Sequence, residues 1–135
     1  MSEEYKIPDG LLYTEEHEWA RVEGGGAVTV GVTDYAQKQL HEIVYVELPE
    51  AGAEVEQASV IGAVESVKAV SDMNCPVGGS VVEVNDELLD SPELINEDPY
   101  GEGWIAKIEP SDLEGDKVRL MDAEAYRKHV AGLGH

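Results

Sequence analysis

The chain has 135 residues, 42% of them hydrophobic, enough apolar material for one folded domain and too much for wholesale disorder. Its 29 acidic residues against 9 basic ones give a formal charge of −20, which excludes a protein that tracks nucleic-acid phosphates or binds anionic membranes through charge. One cysteine excludes a disulfide framework and any multi-cysteine zinc or iron–sulfur site.

No apolar run is long enough to span a bilayer, and Met1-Ser2-Glu3-Glu4 has the wrong sign for a signal or transit peptide, so a cytoplasmic setting is expected. Charged content is an ordinary 28%; the anomaly is the sign. Either the acids adapt the surface to a cytoplasm of very high salt, or they form a docking surface for basic partners. Their spread along the whole chain favours adaptation to salt. Such a surface repels itself, and a monomer is expected.

There is no Phe, so the core has to come from Val, Ile, Leu and Ala. Strand signals dominate. Trp19 to Val22 and Ala27 to Val32 flank Gly24-Gly25-Gly26, a hairpin turn that lacks the lysine and helix of a phosphate loop. A short helix follows, capped by Thr33 or Asp34, with Gln37 placed to close a capping box and Tyr35, Ala36, Gln39 and Leu40 after the cap. Ile43 to Leu48 alternates and is stopped by Pro49 and Gly52. Val60 to Val67 alternates again, with Val60, Gly62, Val64 and Ser66 on one face.

After a break near Cys75-Pro76 and Gly78-Gly79, Val81 to Val84 is a further strand. Ser91-Pro92 reads as the cap and first position of a short turn through Ile95, and Gly103 to Ile108 as the last strand, with Trp104 a core anchor. The tail from Asp122 through Val130 is predicted to be a helix, opened by an aspartate cap, ended by Gly132 and covering an open edge or face of the sheets. The many short strands point to a flattened barrel or sandwich with a C-terminal helix. One domain over residues 1–135 is expected, its core at about 11–110 and a helical appendage at about 111–135.

The strand–turn–strand pattern before residue 67 recurs after residue 76, and Val67-Lys68-Ala69 lies between the two halves. A lysine at a hairpin tip on such a seam is presented to other enzymes. His17, beside Trp19, is expected to pack or hydrogen-bond within the fold. His41, His129 and His135 have no partners at ligand spacing, so no metal site is expected. Cys75 is expected to be a small buried thiol; attack on a neighbouring disulfide is a remote use for it.

Several segments, in order and at characteristic spacing, carry a resemblance. They are Tyr13 to Trp19 (YTEEHEW), Gly31 to Gln37 (GVTDYAQ), Val44 to Pro49 (VYVELP) and Ala63 to Asp72 (AVESVKAVSD). Val84-Asn85 and Pro92 to Asn96 (PELIN) follow, then Pro99-Tyr100-Gly101 and Gly103-Trp104. Across nearly its whole length the chain resembles the lipoyl-carrying H proteins of the glycine cleavage system.

The resemblance implies a mainly β hybrid barrel–sandwich of the lipoyl/biotinyl-carrier type, with short helices and a C-terminal helix. It implies a carrier subunit, not an enzyme, with lipoate bound covalently to the lysine of ESVKA, here Lys68. The partners implied are a pyridoxal-phosphate glycine decarboxylase (P protein) that loads an aminomethyl group, a tetrahydrofolate-dependent aminomethyltransferase (T protein) that removes the carbon unit, and dihydrolipoyl dehydrogenase (L protein), which reoxidises the arm with FAD and NAD. A lipoylating enzyme is the fourth.

Family positions that hold the loaded amine in a cleft fall on Glu18 and Asp72. A third, often Ser, falls on Glu16 and departs from the pattern. Glu65 and Ser66 are candidate recognition marks for the lipoylating enzyme, or ordinary strand residues. Two rivals stand beside this reading. A lipoyl or biotinyl module of another multienzyme complex would be shorter and tethered by linkers, and biotin sites flank their lysine with Met where Val67 and Ala69 stand here. A Schiff-base enzyme would need Lys68 buried with its charge suppressed, which 29 acids oppose.

Overall fold

The computed structural model describes residues 5–133. Its strands are β1 (Leu12–Tyr13), β2 (Glu18–Val22), β3 (Val28–Val32), β4 (Ile43–Glu47), β5 (Glu54–Val55), β6 (Val60–Ser66), β7 (Val70–Asn74), β8 (Gly79–Val84) and β9 (Ala106–Pro110). The helices are α1 (Asp34–Leu40), α2 (Glu87–Asp90), α3 (Leu94–Glu97), α4 (Leu113–Lys117) and α5 (Ala123–Leu133). Six strands in the order β1-β2-β3-β9-β8-β5 form one sheet, and β4-β6-β7 form a second of three; every pairing is antiparallel. This is the mainly β, two-sheet architecture expected from the sequence. No helix among the described residues is long and apolar enough to cross a membrane.

The core between the sheets is aliphatic, as a chain without Phe requires. Val28, Val30, Val46, Val64, Val81, Ile95, Ile105 and Ile108 are buried together with Met73 and Cys75. A second cluster around Leu11, Tyr13, Trp19, Tyr126 and Val130 attaches α5 to the edge strand β1. Tyr126 stacks on Tyr13 with ring centroids 4.6 Å apart, and Met121 forms a bridge to Tyr13, so the helix covers the open end of the larger sheet. Trp19 lies over Gly31 on the neighbouring strand, where any β-carbon would collide with the indole.

Several local expectations are corrected by tertiary contacts. Thr33 caps α1, accepting from Ala36 N at 3.2 Å, which puts Ala36 at the position a capping box would need. Gln37 instead donates to Asp34 Oδ1 and accepts from Asn96, tying α1 to α3. Ser91 does not cap a helix through its side chain; turns from Ser91 and Pro92 lead into α3 two residues later than expected.

The last strand begins at Ala106, not Gly103, because Asn85 Nδ2 donates to the carbonyls of Glu102 and Trp104, each at 2.8 Å, and holds that stretch as a turn. Trp104 is accordingly half-buried, with the Lys107 ammonium 5.2 Å from its ring centroid, and Trp19 takes the anchor position instead. Helix α5 runs through Gly132 to Leu133; its expected start is seen, with Asp122 accepting from Ala125 N at 2.9 Å.

Two register shifts break the simple alternations. One between Val60 and Gly62 turns Val60 outward while Gly62, Val64 and Ser66 stay buried. Gly62 has to be glycine because the carbonyl of Glu47 occupies the place of a β-carbon. The other lies between Ile43 and Tyr45, and leaves Val44 and Tyr45 both facing solvent.

Candidate functional site

Strands β6 and β7 form a hairpin whose tip is Val67-Lys68-Ala69. The tip is shaped by Ser66, whose hydroxyl accepts from Lys68 N at 3.2 Å and Ala69 N at 3.1 Å, while Ser66 N donates to Ala69 O at 2.8 Å. A hydroxyl replacing a backbone carbonyl in this way stabilises a tight turn without glycine or asparagine. Ser66 itself is buried, and Val67, Lys68, Ala69 and Val70 are exposed. Among the described residues the Lys68 ammonium makes no ion pair or hydrogen bond, although most other basic side chains are paired with a carboxylate. Glu65, on the outer face of β6, lies opposite both Tyr45 and Val70.

Glu18 occupies a contrasting environment. Residues 14–17 form a turn closed by His17 in the left-handed region at φ 75°, with His17 N donating to Thr14 O and Thr14 N to Glu18 O. Beyond the turn, the Glu18 carboxyl is only 1% exposed yet fully partnered. Thr14 Oγ1 donates to one oxygen at 2.5 Å, and Asn74 donates to the other through its backbone N at 3.1 Å and its side-chain amide at 3.4 Å. Burial pushes this carboxyl up from 4.5 to about 7, against the lowering effect of those donors and with a small addition from the charge of Glu16.

Glu18 is among the residues lining a cavity of about 70 Å³, together with Thr14, Glu16, Gln57, Asn74, Cys75 and Arg119. The structure thus brings Glu18 and Glu16 to one cavity. Asp72 does not line it; exposed on β7, it shares the outward face of the strand with Asn74, two residues away, with buried Met73 between them. That face runs from Val70 past Asp72 to Asn74, about 13 Å at the ordinary rise of an extended strand.

Cys75, at the same cavity, is buried, donates to Val77 O at 2.9 Å, and its thiol is pushed up to about 11 by burial. Thiolate is therefore scarce at neutral pH. His17 accepts or donates at Nδ1 to Tyr126 Oη at 2.8 Å and packs beside Tyr35 and His129, which places it in the α5 contact, as packing in the fold demands. Burial and the neighbouring His129 lower it to about 4. Among the described residues no group of three or more His, Cys, Asp or Glu could hold a metal ion.

Thr14, Gln57, Asn74 and Arg119 were not singled out from the sequence. Thr14, four residues before Glu18, was within reach of local reasoning. Asn74, Gln57 and Arg119 come from distant segments and carry no local signal.

The glycine cleavage H-protein family model matches residues 11–132. The chain belongs to that family. It is 60% identical over 130 residues to a probable glycine cleavage system H protein of Pyrococcus abyssi, covering 96% of each chain. To the glycine cleavage system H protein of Anaeromyxobacter sp. it is 56% identical over 125 residues, 93% of this chain and 96% of that one. The crystal structure of the Mycobacterium marinum H protein superposes with a TM-score of 0.85 at 38% identity, over 93% of this chain and 99% of that one.

Proposed function

We propose that this chain is a lipoyl carrier of the glycine cleavage system, with lipoate attached as an amide to Lys68. The observation that carries it is the exposed Lys68 amine, unpaired among the described residues, on a serine-shaped hairpin tip inside the segment ESVKA of an H-protein-family chain. These features fit an acylated lysine: the amine is accessible, and no buried ion pair has to be broken to neutralise it. Lipoate on Lys68 supplies a tethered disulfide–dithiol pair, chemistry that the chain's own side chains lack. The chain's contribution is then to keep one group at high local concentration for successive active sites. It acts as a carrier subunit and a monomer. Its partners are glycine decarboxylase, the tetrahydrofolate-dependent aminomethyltransferase, dihydrolipoyl dehydrogenase and the lipoylating enzyme.

Glu18 sets the electrostatics of the cavity. With its proton poised near neutrality, a cationic amine entering beside it draws the carboxyl to its charged form and pairs with it in a water-poor setting. Thr14 and Asn74 fix the carboxyl's position, Glu16 adds negative charge, and Asp72 offers a second carboxylate on the path from Lys68. Glu65 and Ser66 act at the tip, Ser66 by shaping the turn. If Glu18 and Asp72 shield the cargo amine, Glu18→Ala combined with Asp72→Ala releases ammonia from loaded protein faster than wild type; an unchanged rate removes both from this role.

The deciding experiment is intact mass with peptide mapping of the protein from its own source. One lipoyl adduct on the Lys68 peptide is expected. A biotinyl adduct moves the chain to the carboxylases, and no adduct in cells that lipoylate other proteins ends the carrier reading.

A further inference from the structure

Four large apolar side chains at or beside the Lys68 hairpin are exposed: Val44 is 44% exposed, Tyr45 52%, Val67 68% and Val70 62%. Their arrangement is built into the backbone. The register shift between Ile43 and Tyr45 leaves Val44 outside the register and sets Tyr45 opposite Glu65, and Glu65 pairs on its other side with Val70. Regular alternation would have turned one of two consecutive residues inward; here both face out beside the tip. The next row outward from the tip is Glu47–Ala63–Asp72, and Glu42 is exposed just before β4, so acids rim the apolar patch. An apolar centre with a polar rim is the anatomy of a protein contact surface.

We propose that this face of the three-stranded sheet is where the enzyme that acylates Lys68 docks, through an apolar patch edged with Lys and Arg. The inference rests on the carrier role argued above and goes beyond it by naming the surface. Two observations select this occupant. First, the patch adjoins the tip that carries the reacting lysine, through Val67 and Val70 in sequence and Tyr45 in register. An enzyme that acts on the far end of a long arm can stand away from the hairpin, but one that forms the bond at Nζ has to close upon it. There the neutral amine's electron pair forms the C–N bond to the carbonyl of a mixed acyl–phosphate anhydride. The bond from that carbonyl to the phosphate oxygen breaks, its electron pair leaves with the phosphate, and the surplus proton on nitrogen passes to solvent. Second, Glu42, Glu47 and Asp72 at the edge, with Glu65 between Tyr45 and Val70, complement basic groups on the partner and repel acidic ones.

The test uses the full-length unmodified chain, a purified lipoate ligase, lipoate and ATP, with adduct formation followed by intact mass. Tyr45→Ser and Val70→Thr should each lower kcat/KM by about tenfold, the size of a modest interface hot spot, with the change in KM and little in kcat. Val118→Ser, an exposed apolar residue far along the chain, should change nothing. Labelling of Lys68 by a small amine-reactive ester reports presentation of the amine independently of docking, and should be equal in all variants. Wild-type rates in Tyr45→Ser and Val70→Thr overturn the docking surface while leaving the carrier role intact. A parallel loss of ester labelling also overturns it, since the residues would then act on hairpin shape. Failure of the wild-type chain to accept lipoate at all overturns the carrier role and this inference with it.

Discussion

The hairpin tip and the Glu18 cavity solve opposite problems with the same few kinds of polar group. At the tip, Ser66 spends its hydroxyl on two backbone N–H groups, and the result is an amine left in water with no partner among the described residues. At the cavity, Thr14 and Asn74 spend their donors on a carboxyl, which leaves Glu18 buried with both oxygens satisfied. Exposure keeps Lys68 reachable; burial raises the proton affinity of Glu18 and protects it. The proposed carrier role uses both, one place where a group is attached and passed on and another where it is sheltered.

The largest effect expected is at the tip. Lys68→Arg keeps the charge and the length but offers a guanidinium that does not acylate. Adduct formation with lipoate ligase, lipoate and ATP should fall to nothing while the denaturation midpoint stays that of wild type. A residual adduct elsewhere in the chain would falsify the assignment of Lys68 as the acceptor.

At the cavity the corresponding effect is on stability, and it has a sign. Glu18 binds its proton more tightly in the folded state, at about 7 against 4.5 in the unfolded chain. Its favourable contribution is complete below pH 4.5 and is lost as pH rises through about 7, in total about 3 kcal/mol at some 1.4 kcal/mol per pH unit. His17, next in sequence, runs the other way: lowered from 6.5 to about 4, its contribution is present above pH 6.5 and lost as pH falls through about 4. Between pH 4.5 and 6.5 the two slopes oppose each other. Glu18→Gln removes one of them, and Thr14 can turn its hydroxyl to accept from the new amide. Relative to wild type, the variant should therefore gain about 3 kcal/mol between pH 4.5 and pH 8 in urea titrations. A pH-independent difference between the two proteins would show that burial does not set the Glu18 proton affinity.

The two regions also differ in how far the sequence foretells them. Strands β2, β3 and β6 announce themselves because β-branched residues alternate beside glycine turns, and α5 because Asp122 opens an amphipathic run. Lys68 stands out through its place between two similar halves and through ESVKA. Strand β7, with the sequence VSDMN, has a single large residue turned inward and reads as no strand at all; pairing with β6 makes it one. The register shift that exposes Val44 and Tyr45 is invisible locally, since an alternating sequence fits the strand equally well with or without it. The Glu18 cavity is harder still, because its partner Asn74 lies 56 residues away and Arg119 enters from beyond the last strand.

Ser66 is the tip's counterpart to Thr14, and a smaller effect tests it. Ser66→Ala removes the acceptor for two N–H groups at an exposed turn, where each hydrogen bond is worth about 1 kcal/mol and water partly replaces what is lost. Lipoylation should slow severalfold, with Ser66→Thr restoring it, because a threonine hydroxyl can cap the same turn. A mere recognition mark would not be rescued by a residue of different shape. Equal rates for Ser66→Ala and Ser66→Thr would therefore return Ser66 to the partner's recognition and take it out of the turn.

The smallest effect spans both regions. A chain of charge −20 loses folding energy to self-repulsion, and about 8 Å of screening at physiological salt removes only part of it. If the acids adapt the surface to a salty cytoplasm, the denaturation midpoint should climb steadily with KCl up to molar concentration. The climb should persist in Glu18→Gln, whose site is buried and answers to pH. A midpoint equal in dilute and molar KCl removes the salt explanation and leaves the acids as a docking charge. In that case they should be felt first around Lys68, where Glu42, Glu47 and Asp72 rim the apolar patch and Glu65 lies within it, and salt should then weaken lipoylation while leaving stability alone.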